Sequence, residues 1–222
     1  MSDMALSKKI FSRVAVIDDD LGGRNTYKLA IEDMDCTPVV EDGPLDVLDS
    51  YVANLRPRVD AAFCDYHLKK HGNYAVFDGD ELASSLYLAK VPVVLCTKYT
   101  DWEASLLRRR RRYIPRVISY DEAEPENILE AFNLCVREFR GEFIVPRRPW
   151  RALVRIEDFE DGCSYAYAVV PAWDTKKRIR LQISDCPSEV VNKVKQGEQR
   201  FHAQVNLGAE SDEDLYFSDW EI

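Results

Sequence analysis

Asp18, Asp19 and Asp20 directly follow the apolar run Val14-Ala15-Val16-Ile17, Asp65 follows Ala61-Ala62-Phe63-Cys64, and Thr97 follows the run from Val91 to Cys96. Each run has the length and content of a buried strand, so these polar residues stand at strand ends. Open α/β sheets build their sites at the carboxyl ends of their strands. Carboxylates from two strand ends and a hydroxyl from a third would share one crevice, where they repel one another without a cation. Hard oxygen ligands with room for water and a phosphoryl oxygen suit Mg²⁺. Helix capping is the competing explanation, and it would account for any one of these residues alone. Three strand ends in register are harder to assign to caps.

The elements that must hold these ends in place follow from the apolar spacing. Leu21 to Met34 reads as a helix, Thr37 to Val40 as a weaker strand, and after Asp42-Gly43-Pro44 a helix puts Leu45, Leu48, Val52 and Leu55 on one stripe. A helix from about Asp80 to Ala89 separates the two runs that precede Asp65 and Thr97. Asp101 to about Arg110 is a further helix and Pro115 to Ser119 the last strand. Ile128, Phe132, Cys135, Val136 and Phe139 form the one-sided stripe of a closing helix that Gly141 ends. Five strands alternating with five helices imply a doubly wound parallel sheet over residues 10–140, because parallel neighbours need crossover helices.

A strap with Pro146, Pro149 and Arg147-Arg148 spans 141–150, and the period then drops to two over 151–222. Asp161-Gly162 marks a hairpin between a strand from Leu153 to Phe159 and one beginning at Ser164, in which Tyr165, Tyr167 and Val169 share a face. Ile179, Leu181 and Ile183 give a third strand, and Phe201, Ala203, Val205 and Leu207 a fourth. Between these two, Pro187-Ser188-Glu189 opens a short helix with Val190, Val191 and Val194 inward and Gly197 as its stop. A last strand lies near Leu215 to Phe217. This order is that of a small, mostly β barrel of the OB type, with an SH3-like barrel as the competing assignment. Tyr165, Tyr167, Trp173, Phe201 and Trp220 read as core more readily than as stacking groups.

The 222 residues carry 30 Lys and Arg against 39 Asp and Glu, a net charge of -9 that opposes nucleic-acid binding unless one face segregates its positive charge. Residues 151–222 are acidic too, with nine basic and fourteen acidic side chains. Arg108 to Arg112 is the one long basic run, and it reads as a solvated helix end. Glu210 to Asp214 reads as a loop before the last strand or a surface for a basic protein. Six cysteines never closer than 23 residues and three His give no zinc-ligand spacing, so all six read as reduced thiols. No stretch has the apolar length of a membrane span and the opening residues lead into no signal-peptide core, so a cytoplasmic location is expected.

Taken in order, Val14 to Asp20, Phe63-Cys64-Asp65, Asp78-Gly79-Asp80-Glu81-Leu82 and Pro92 to Thr97 resemble the receiver domain of two-component response regulators, over residues 10–140. The resemblance implies a flavodoxin-like fold in which Asp65 accepts a phosphoryl group from a histidine kinase or phosphotransfer protein. It further implies that Asp18 and Asp19 help Asp65 hold Mg²⁺, that the backbone carbonyl of His67 is another ligand, and that Thr97 bonds the phosphoryl oxygen. A carboxylate nucleophile makes an acyl phosphate, and the metal offsets the charge that builds on the transferring group. Output is expected through protein contact of the C-terminal barrel with a downstream protein that the sequence does not name. DNA binding is disfavoured, and whether the chain forms a homodimer stays open.

Two departures qualify the resemblance. Receivers place a Lys at the end of the fifth strand, where Val117-Ile118-Ser119-Tyr120 offers Ser119 or Tyr120 instead. Lys98, Arg116 or Ser119 would then be the phosphate contacts. The stretch Leu68 to Phe77, with Lys69, Lys70 and His71, is longer than the family's loop and could cover the site. His67 could order or exclude water near the phosphoryl group, or simply face solvent. The reading is of an atypical response regulator that is not an enzyme beyond its own phosphotransfer. The alternative is a receiver-like scaffold that no longer switches.

Overall fold

The computed structural model describes residues 10–97, 107–159 and 165–222. These form two compact units, one of residues 10–97 with 113–140 and one of residues 107–112 with 141–159 and 165–222. No described helix is long and apolar enough to cross a membrane.

In the first unit five parallel strands, β1 (Arg13–Ile17), β2 (Thr37–Val40), β3 (Ala61–Asp65), β4 (Val93–Cys96) and β5 (Val117–Ile118), lie in the order β2-β1-β3-β4-β5. That is the flavodoxin-like doubly wound order, whose ligand crevice opens where β1 and β3 diverge into their loops. Register fixes the crevice: Ile17 pairs with Cys64, and Asp65 with Cys96, so Asp18, Asp65 and Thr97 leave the sheet at one edge. β1, β3 and β4 are apolar and buried almost throughout because helices cover both faces.

The helices are α1 (Leu21–Asp33), α2 (Leu48–Leu55), α3 (Gly79–Leu88) and α4 (Pro125–Phe139). α4 closes the unit with Ile128, Ala131, Phe132 and Cys135 wholly buried, each large apolar side chain contributing on the order of 1.5–3 kcal/mol. α2 starts at Leu48, so Leu45 is buried from the preceding loop and not from the helix. The helix expected over Asp101 to Arg110 falls outside the described residues except for its end.

The second unit is a curled antiparallel half-barrel of five strands, β6 (Trp150–Phe159), β7 (Tyr165–Val169), β8 (Ile179–Gln182), β9 (Arg200–Val205) and β10 (Phe217–Glu221), in the order β10-β9-β6-β7-β8. The short helix α5 (Ser188–Lys195) stands between its third and fourth strands. Alternation sends Ala152, Val154, Ile156, Ala166, Ala168, Ile179, Leu181, Phe201, Ala203 and Val205 into one core. The Asp161-Gly162 hairpin turn lies outside the described residues.

The expectations for Tyr165, Tyr167 and the last strand are corrected. Tyr165 and Tyr167 are not core: the small Ala166 and Ala168 take the inward positions, and the rings lie under Arg180 and Arg178 at 3.5 and 4.4 Å. Phe201 is core, and Trp173 and Trp220 pack partly against it. The last strand begins at Phe217, because the backbone N–H of Tyr216 donates to the Asn206 side chain at 2.8 Å instead of to a ladder.

The basic run is not a solvated end. Arg108 is 5% exposed, and its guanidinium donates to the carbonyls of Arg180 and Asp212. Arg111 pairs with Asp214 at 2.6 Å, while Arg112 lies over the rings of Phe143 and Tyr216. Arg147 in turn donates to the carbonyls of Arg111 and Arg112 at 3.0 and 2.9 Å. The acidic loop 210–214 thus meets its basic partner within the same unit, because buried guanidinium donors need carbonyl or carboxylate acceptors.

Candidate metal and phosphoacceptor site

Of the three consecutive aspartates, Asp20 is a helix cap: its side chain accepts from the N–H of Gly23 at 2.8 Å and opens α1. Asp18 accepts from the N–H of Asp20 at 2.7 Å and is 5% exposed. Its other oxygen faces Gly23, where a Cβ would collide with it, so the first turn of α1 requires glycine to admit the carboxylate. Ligand oxygens of Asp18, Asp19 and Asp65 lie within 4.8 Å of one another.

Asp65 is 3% exposed. One of its oxygens accepts from the N–H of His67 at 2.8 Å and the other from the phenol of Tyr120 at 2.9 Å. The turn after β3 is kept close by Gly79, whose N–H donates to the Tyr66 carbonyl at 2.8 Å; a side chain there would strike the Asp65 carbonyl. Thr97 is fully buried and its N–H donates to the Ile118 carbonyl at 3.0 Å, which ties the end of β4 to β5.

Burial pushes the Asp18 carboxyl up from 3.8 to about 7, against the bond from Asp20 and aided by the charge of Asp65. Asp65 is pushed up to about 6, again chiefly by burial, with the Tyr120 and His67 hydrogen bonds pulling it down. A cluster in this condition is electrostatically unsatisfied, and hard oxygen donors at this spacing fit a divalent cation. Each carboxylate has lone pairs beyond those its hydrogen bonds use. Asp18, Asp19 and Asp65 would hold the ion, with the His67 carbonyl two residues beyond Asp65 on the same turn.

The stretch from Leu68 to Phe77 does reach the site. The His71 N–H donates to one oxygen of Asp19, and its ring nitrogen Nδ1 lies 3.4 Å from the other. Leu68, Tyr74 and Phe77 anchor the stretch by burial, and the Tyr74 phenol donates to the Glu41 carbonyl at 2.6 Å. Beside Asp19 this leaves a cavity of about 380 Å³ lined by Arg24, Asp42, Pro44, His71 and Tyr74 among others. Arg24 donates to the Asp18 carbonyl at 2.6 Å.

The contacts proposed in place of the absent Lys resolve differently from one another. Ser119 is occupied by Glu122, whose carboxylate accepts from both its N–H and its hydroxyl at 2.9 and 3.1 Å. Arg116 lies in the field of Glu122 and helps lower that carboxyl. Lys98 lies outside the described residues. Tyr120 is the residue that reaches Asp65. Its place directly after β5 was the only signal in the sequence, and Arg24, in the first turns of α1, gave none.

No protein-family model and no curated protein matches the sequence. Solved structures similar to the chain include response regulator receiver domains. NtrX from Brucella abortus is 18% identical with a TM-score of 0.44, the match covering 59% of this chain and 29% of that one. A response regulator receiver domain protein from Clostridium thermocellum is 12% identical with a TM-score of 0.43, covering 58% of this chain and 97% of that one. A CheY-like receiver domain protein from Methanospirillum hungatei JF-1 is 17% identical with a TM-score of 0.42, covering 59% and 98%.

Proposed function

We propose that the chain is an atypical response regulator: Asp65 accepts a phosphoryl group from a histidine kinase or phosphotransfer protein, with Mg²⁺ held by Asp18, Asp19, Asp65 and the His67 carbonyl. The observation that carries this is the convergence of the three carboxylates within 4.8 Å at the ends of β1 and β3, next to the buried Thr97 at the end of β4. When bound, the metal would neutralise charge on the transferring phosphoryl group. The chain's own residues do the rest. The His67 N–H and the Tyr120 phenol orient the two oxygens of Asp65, Gly79 keeps the turn close, and Thr97 stands ready to donate its hydroxyl to the modified group.

Thr97 directly follows β4, and eleven residues later Arg108 donates to the Arg180 and Asp212 carbonyls of the half-barrel unit. In this reading the second unit signals by contact with a downstream protein in the cytoplasm. Phosphotransfer to its own Asp65 is the only chemistry assigned to the chain.

Beryllofluoride, a noncovalent mimic of an acyl phosphate, tests the reading. Fluorine NMR of the full chain with Mg²⁺ is expected to show a bound signal that Asp65→Asn abolishes. A parent protein that gives no bound signal, while remaining folded, would favour the scaffold that no longer switches.

A further inference from the structure

The receivers this chain resembles use a cation where it has Ser119-Tyr120, and two described cations near the crevice, Lys69 and Arg24, are engaged elsewhere. Lys69 is on Asp78 at 2.8 Å and the Arg24 guanidinium is on the Asp18 carbonyl, whereas the phenol of Tyr120 is on Asp65 itself at 2.9 Å. We propose that Tyr120 does the work of that cation with a neutral donor: its phenol holds Asp65 for attack and then donates to the phosphoryl group. This rests on the phosphoacceptor role of Asp65.

The turn that presents Tyr120 is built for it. Ser119 caps the 3₁₀ turn Tyr120–Glu122 through Glu122, so the backbone that carries the ring is fixed from below. The ring lies 6.4 Å from that of Tyr27, which itself packs on Phe63 at 4.1 Å, and so has an apolar support on its inner side. Tyr120 is nonetheless 37% exposed, which leaves the outer side open to pivot. Its hydroxyl reaches Asp65 Oδ1 while His67 holds Oδ2, so the two oxygens have separate donors. A side chain that merely filled space would not need to end on the one carboxylate in the crevice placed to act as nucleophile.

The transfer itself needs no proton from Tyr120. An Asp65 oxygen attacks the phosphorus of a mixed-anhydride donor and a new O–P bond forms. The bond from phosphorus to the donor's carboxylate breaks, and its electron pair leaves with that carboxylate. Tyr120 keeps its proton throughout and only redirects the hydrogen bond it makes at 2.9 Å. Its hydrogen bond passes from the carboxylate to an oxygen of the group that has just arrived. A neutral hydrogen bond is weaker than a charge-assisted one, so this device stabilises the product less than an ammonium would.

The full chain, with acetyl phosphate and Mg²⁺, supplies the test through the rate of acyl phosphate formation and its lifetime after the donor is removed. Tyr120→Phe keeps the ring and loses the donor, and is expected to form the acyl phosphate about tenfold more slowly, the cost of one lost hydrogen bond. Tyr120→Lys loses the ring and restores a donor, and is expected to match or exceed the parent. A packing role predicts the reverse order, with Phe normal and Lys impaired, and that order overturns the proposal provided thermal unfolding shows both variants folded. A parent that forms no acyl phosphate overturns the phosphoacceptor reading and this proposal with it, whereas an active parent with an equally active Phe variant overturns this proposal alone.

Discussion

Replacing Asp18 by Asn should stabilise the metal-free protein increasingly as pH rises from about 4 to about 7, and fully above that. Its oxygen that accepts from the Asp20 N–H at 2.7 Å survives in Asn, so the substitution removes charge with little change in bonding. A carboxyl raised from 3.8 to about 7 binds its proton more tightly folded than unfolded. Stability from this group is therefore fullest below about pH 4, falls as pH rises between 3.8 and 7, and reaches its full deficit above that. At about 1.4 kcal/mol per pH unit the deficit would be roughly 4 kcal/mol, and solvent screening at the mouth of the crevice brings it to about 2 kcal/mol. Urea unfolding in a chelator at pH 8 should show Asp18→Asn about 2 kcal/mol more stable than the parent, with the two equal near pH 4. Adding Mg²⁺ at pH 8 should reverse the order, because only the parent gains full binding energy. A gain that does not depend on pH, or none at pH 8, would refute the reasoning that buried negative charge strains this crevice.

Gly79→Ala should cost about 1–3 kcal/mol and weaken Mg²⁺ binding, since its Cβ enters the space of the Asp65 carbonyl; calorimetric titration and unfolding would show both. Arg108→Ala should cost about 2–4 kcal/mol by leaving the Arg180 and Asp212 carbonyls without their charged donor, with faster amide exchange in Ile179–Gln182 while Arg13–Ile17 stays protected. Ser119→Ala removes a cap hydroxyl that bonds Glu122 and should lower stability by about 1 kcal/mol or less, which urea unfolding would show.

The strands that position the crevice were legible because each is a continuous apolar run that needs cover on both faces, and the polar residue following each run marked its end. The fifth strand was harder: only Val117–Ile118 pairs, with Pro115 lacking an N–H to give to a ladder. Asp18, Asp19 and Asp65 could be grouped from the sequence, but the separation of Asp20 as a cap depends on the turn of α1 and not on residue type. Tyr120 was visible only as a neighbour of the vacated Lys position, since which of Ser119 and Tyr120 turns inward is decided by Glu122, three residues on. The basic run and the acidic loop each looked like solvated charge because their pairing spans about a hundred residues of chain, as Arg111 and Asp214 show. Tyr165 and Tyr167 read as core from their place in an alternating strand, whereas the half-barrel's interior takes the alanines beside them.

The central claim is that Asp65 carries an acyl phosphate that depends on the metal. Incubation of the full chain with acetyl phosphate, followed by intact mass and by borohydride trapping to locate the modified residue, measures this directly. The account predicts one phosphoryl group on Asp65 with Mg²⁺, none in chelator, and none in Asp65→Asn. Modification that persists in chelator, or that appears on another residue while Asp65 stays bare, would contradict it.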